Sequence, residues 1–175
     1  MNKQNKRLLC EAAEKMDNIV SGLAVESFTD KKVDRYPEGQ LMKEIRVFID
    51  FPQKEIAKMM GVSAPSLSAH EKRQNVNRST ITKFCQITGI DAWDFDVLRN
   101  ALTLLNTDLI GLMDDPEGAI QKLIRMKDEM SRKGKSAIIE DINKKIQDFS
   151  YNSLVKALDY IRMLELSEKE QKRSL

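Results

Sequence analysis

The chain contains one histidine, one tryptophan, two cysteines and four prolines in 175 residues. Each scarcity excludes something. Cys10 and Cys85 lie far apart and form no CxxC pair, and with only His70 beside them they make no metal set. Two thiols in a reducing compartment are the plain reading. No nucleophile elbow, phosphate loop or metal cluster is present, and Asp114-Asp115 is explained by helix capping. No enzyme activity, cofactor or metal is therefore expected. No apolar run reaches about 18 residues, so no membrane span or membrane partner is expected. The opening MNKQNKRLLCEAAEK turns charged before a secretory apolar segment could form. A cytoplasmic protein is expected, associated with the nucleoid if it binds DNA.

What is abundant is Leu, Ile, Met, Lys and Glu, a mixture that favours an all-α fold. Leu8, Leu9, Ala12, Met16, Ile19, Val20 and Leu23 recur at helical spacing, which predicts a helix over residues 3 to about 22. A polar stretch with Pro37 and Gly39 follows as a linker, closing a first segment at 1–37. A central unit over 38–97 reads as five helices. The first covers roughly Leu41 to Ile49. The second starts with Pro52 at its first helical position and ends at Gly61. The third is capped by Ser63, with Pro65 in its first turn. The fourth is capped near Asn77 and closed by Gly89. Asp91 caps a fifth, carrying Trp93 and Phe95 into the core. Residues 98–175 read as a second helical region. Asp115-Pro116-Glu117 starts one helix there, and Arg132-Lys133-Gly134 ends it. Further helices are expected around Ile138–Phe149 and Leu154–Leu164, with Ser167 and Glu170 as a capping box. The methionines, including Met59 and Met60, read as core filling.

The net charge of +2 says little. Its distribution says more. Over 53–83, six basic residues (Lys54, Lys58, Lys72, Arg73, Arg78, Lys83) face only Glu55 and Glu71. The basic surplus is concentrated on FPQKEIAKMMGVSAPSLSAHEKR, residues 51–73. That stretch has the pattern of two short helices joined by a tight turn at Gly61. Small Ala57 suits a close helix crossing, Gly61 suits a positive φ, and Ile56, Val62 and Leu67 suit the space between the helices.

Gln53, Ile56, Ala57, Gly61, Val62, Ser63, Leu67, Ser68 and Glu71, with Phe84, Gly89 and Ile90 beyond, resemble the Cro/CI-type (XRE) helix-turn-helix regulators. The resemblance covers Leu41 to Phe95, about a third of the chain, without a gap. It implies a five-helix lambda-repressor-like DNA-binding domain, flanked by the N-terminal helix and a C-terminal helical region for oligomerisation or regulation. It implies phosphate contacts from Gln53, Arg46, Ser63 and Ser66, and from Lys72, Arg73, Asn75 and Arg78 in the following loop. Arg46 and Glu71 match a pair that locks the first helix to the third. As an exposed pair it would contribute about 0–1 kcal/mol. Ala57, Gly61 and Leu67 are implied structural positions.

The positions implied to face bases are Ala64, Pro65, Ser68 and Ala69, and none can make a bidentate bond to guanine or adenine. Thymine-methyl contacts, polar contacts from the Arg73–Arg78 loop, and DNA shape with half-site spacing remain as sources of specificity. His70 sits where packing beside the first helix of the unit is expected.

The implied function is a sequence-specific double-stranded-DNA-binding transcriptional regulator, a homodimer that reads an inverted repeat and represses by occlusion. The alternative is an antitoxin-like or antirepressor-controlled interaction module that also binds DNA, with a protein or peptide effector on the extra helices.

Overall fold

A computed structural model describes residues 1–27 and 34–147. Among these the fold is all-helical: α1 (Lys3–Ser27), α2 (Glu38–Phe48), α3 (Gln53–Met60), α4 (Ala64–His70), α5 (Arg78–Thr88), α6 (Ala92–Leu105), α7 (Leu109–Asp114) and α8 (Pro116–Gln147). No described helix is long and apolar enough to cross a membrane. The chain divides into two compact units, Met1–Asp128 and Glu129–Leu175. The helix expected around Leu154–Leu164, the Ser167–Glu170 box and Phe149 lie outside the described residues.

In the first unit α1 packs along α6. The buried face of α1 is Leu9, Ala12, Ala13, Met16, Val20 and Leu23, at alternating helical spacings. Leu8 was expected on that face but is 45% exposed, and Ala13 takes its place. Facing it, α6 buries Phe95, Leu98, Ala101, Leu102 and Leu105. Trp93 stands two residues out of register with that stripe. It is therefore 58% exposed rather than in the core, and its indole N–H donates to Asp17 Oδ1 at 2.9 Å. Met59 departs in the same way. The inner face of α3 is Ile56, Ala57 and Met60, which leaves Met59 exposed.

The caps follow local chemistry. Gly61 and Gly89 close α3 and α5 at φ 69° and 68°. Ser63, Asn77 and Asp91 each accept a hydrogen bond from a first-turn amide of α4, α5 and α6. Pro52 is the N-cap of α3 rather than its first helical residue. Helix α2 starts earlier than expected, at Glu38, because backbone rather than a side chain caps it. The amides of Glu38 and Gly39 donate to the carbonyls of Gln74 and Arg73 at 3.0 and 3.1 Å. Gly39, which reads as a breaker, is helical. A Cβ there would strike the carbonyl oxygens of His70 and Arg73, so glycine permits the close approach.

The expected boundary at 97/98 falls inside α6, and the first compact unit extends to Asp128. The expected stop at Gly134 is absent, and α8 runs unbroken from Pro116 to Gln147. An interior glycine costs a helix only about 1 kcal/mol, which a long helix absorbs. Asp115 does cap this helix, accepting from the Gly118 amide at 3.0 Å.

Candidate nucleic-acid interface

Helix α3, a three-residue turn (Gly61, Val62, Ser63) and helix α4 form the unit that the sequence singles out. Left-handed Gly61 lets the Val62 amide return to the Ala57 carbonyl at 2.9 Å, which ends α3 and redirects the chain. Ala57 (2% exposed) and Leu67 (fully buried) lie at the junction. Burying a leucine this completely contributes about 1.5–3 kcal/mol. The opposite side of α4 stays open. Pro65 and Ala69 are exposed, while Ala64, Ser66 and Ser68 are half-buried. Ser63 Oγ accepts from the Ser66 backbone amide at 3.2 Å, so the Ser63 hydroxyl serves the cap.

Behind α4 lies a three-part polar lock. Arg46 Nε and Nη2 donate to Glu71 Oε1 and Oε2 at 2.7 and 3.2 Å, and Gln53 Nε2 donates to Oε2 at 2.8 Å. The side chains of Arg46 and Glu71 are 13% and 4% exposed. The pair is thus largely buried, not the exposed bridge expected from sequence. Removing one partner leaves the other uncompensated, a much larger penalty than a surface bridge carries.

Arg46, Gln53, Ser68, Glu71 and Lys72 converge on one groove of about 450 Å³, to which Gln40, Lys43, Glu44 and Gln74 also contribute. Lys72, Arg73 and Asn75 are exposed on the loop after α4. That loop is held by the α2 N-terminus and by the Val76 amide, which donates to Glu38 Oε2 at 2.6 Å. Arg78 is set apart. Both of its terminal nitrogens donate to Asp96 of α6 at 2.8 Å, and it lines a different cleft with Glu38, Trp93 and Arg99. The hydrogen bonds to Asp96 raise its pKa. His70, the last residue of α4, is half-buried, and its Nδ1 is buried without a hydrogen-bond partner among the described residues.

Two further links escaped the sequence. Glu38 accepts from Arg99 Nη1 at 2.6 Å, tying α2 to α6. The Tyr36 hydroxyl lies 2.7 and 2.8 Å from the two Glu44 oxygens, which also receive Gln40 and the Leu109 amide. Burial first, then Glu44, pushes the Tyr36 phenol well above its usual range. Neither link leaves a local pattern, because the partners are far apart in the chain or belong to a loop. Lys43 stands one turn before Arg46 on α2 and lines the same groove. A comparison with protein-family models, curated proteins and solved structures finds no match to this chain.

Proposed function

We propose that this protein is a sequence-specific double-stranded-DNA-binding regulator of the Cro/CI type, a homodimer that represses by occluding a promoter. The observation that carries the reading is the α3–Gly61–α4 unit. An open helix of small side chains projects from it, and the Arg46–Glu71–Gln53 lock fixes that helix from behind. A helix so held can enter a major groove as a rigid body. Its short side chains allow close approach to base edges. Gln53, Lys72 and Arg73 supply sequence-independent attraction to the backbone. The exposed Pro65 and Ala69 give little hydrogen-bonding readout, so shape and half-site spacing carry much of the specificity.

One module makes few phosphate contacts. A symmetric pair doubles them, with the two reading helices about 34 Å apart on an inverted repeat. The C-terminal helical region, which includes the second compact unit Glu129–Leu175, is proposed to join two copies. The test is a mobility-shift assay with fragments from the protein's own upstream region. Sequence-selective shifts at submicromolar protein, lost as salt rises, are expected. Equal weak retention of every fragment would remove the regulator reading.

A further inference from the structure

Ser68 and Lys72 form one wall of the groove beside α4. The other is a row on α2, Gln40, Lys43 and Arg46, spaced three residues apart on one helix face, and of these only Arg46 is among the phosphate contacts that the helix-turn-helix resemblance implies. Gln53, at the start of α3, lines the same groove, and the N-terminus of α3 has no side-chain cap.

The charges in the groove are unequal in their commitments. Glu71 is held by Arg46 and Gln53. Glu44 is held by Tyr36, Gln40 and the Leu109 amide. Lys43 and Lys72 are exposed, and neither has an ion-pair or hydrogen-bond partner among the described residues. Two unpaired like charges from two different elements lining one groove, which the start of α3 also lines, are electrostatically complementary to a linear polyanion lying along the groove.

We propose that this groove grips one sugar–phosphate strand of a DNA duplex, with Lys43 as a phosphate contact on the α2 wall opposite Lys72. The inference rests on the DNA-binding function proposed for α4 and adds a second wall to that interface. A duplex strand fits better than an acidic peptide because the groove adjoins the open side of α4 through Ser68. A backbone seated there runs beside a helix placed in the adjacent major groove. The contact is sequence-independent, so it acts on any duplex.

The experiment uses the full chain and a mixed-sequence duplex of about 30 base pairs, long enough for two half-sites. Binding is followed by fluorescence anisotropy between about 50 and 200 mM salt, the range over which phosphate contacts change affinity most visibly. Lys43→Ala is compared with the parent, with Gln53→Ala and with Lys122→Ala, an exposed lysine of α8 outside the groove. Lys43→Ala is expected to weaken binding several-fold and to lower the slope of log K against log salt by about 0.9 for each phosphate lost. Lys122→Ala is expected to match the parent. If Gln53→Ala weakens binding while Lys43→Ala keeps the parent's affinity and slope, the α2 wall is refuted and the α4 reading stands. If the parent binds no duplex, both fall. If the parent binds polyglutamate as tightly as the duplex and Lys43→Ala weakens both alike, the groove is an acidic-peptide site and the inference is wrong.

Discussion

Arg46 and Glu71 meet through two parallel hydrogen bonds of 2.7 and 3.2 Å, with the carboxylate side chain only 4% exposed. This pair joins α2 to the residue that ends α4, so it fixes the angle at which α4 projects. Glu71→Ala is expected to destabilise the protein by about 3 kcal/mol, because it strands a mostly buried guanidinium. Replacing both residues by methionine should recover a large part of that loss. Urea unfolding of the three variants checks this. A single-variant loss below about 1 kcal/mol would mean that the pair behaves as a surface bridge.

Gly39→Ala is expected to cost about 1–3 kcal/mol, as overpacking does. The added methyl meets the His70 and Arg73 carbonyl oxygens, which are backbone atoms and cannot swing aside. Duplex affinity should fall with stability, since the same approach anchors the loop that carries Lys72 and Arg73. Thermal unfolding with circular dichroism measures the first effect.

Gly134→Ala should do the opposite. Gly134 is exposed inside α8, and an added Cβ meets nothing within 4 Å. The substitution should stabilise the helix by about 1 kcal/mol. A destabilised variant would show that the chain breaks at this glycine, as its sequence suggests.

Cys85 gives an alkaline signature. Burial pushes its thiol from an ordinary 9.0 up to about 12. The folded state therefore keeps its proton where the unfolded chain has lost it. Stability is unaffected below pH 9 and falls between about 9 and 12, by at most about 1.4 kcal/mol per pH unit from this group. Urea midpoints at pH 8.5 and 10.5 should fall further for the parent than for Cys85→Ala. Equal falls would assign the alkaline loss to other groups, Tyr36 among them.

The N-terminal helix is part of the first unit's core. Besides its apolar contact with α6, the Asn2 amide donates to the Ile49 carbonyl and Asn5 Nδ2 to the Phe48 carbonyl, both at 2.6 Å. Deleting residues 1–23 should expose the apolar stripe of α6 and give a dye-binding, poorly cooperative protein. A cut after Asp128 should leave the first unit folded, as a heteronuclear NMR spectrum with native-like dispersion would show. By contrast, a cut at residue 101 removes Ala101, Leu102 and Leu105 from the core.

What the sequence made legible was local. Caps at Ser63, Asn77, Asp91 and Asp115, and stops at Gly61 and Gly89, act over a few residues and need no distant partner. The same locality misled at Gly134, where a small penalty is absorbed by a long helix. Trp93 and Met59 lie outside the core because register, not side-chain type, decides which face a helical residue occupies. The Arg46–Glu71 contact was legible only through the helix-turn-helix resemblance, and its burial was not legible at all, because burial depends on elements packed around it. Glu38–Arg99, Tyr36–Glu44 and the close approach at Gly39 are tertiary facts. The row Gln40, Lys43 and Arg46 on α2 lines the same groove as Ser68 and Lys72 only through the packing of α2 beside α4, which no local pattern reveals.

The most direct test is a two-dimensional ¹H–¹⁵N NMR titration of the full chain with a DNA duplex at low salt. Amide shifts are expected at Ser63, Ala64 and Ser66–Ala69, with a second set at Lys43, Gln53, Lys72 and Arg73. No shifts at equimolar duplex, or shifts confined to residues outside α2, α3, α4 and the loop after it, would contradict the DNA-binding reading.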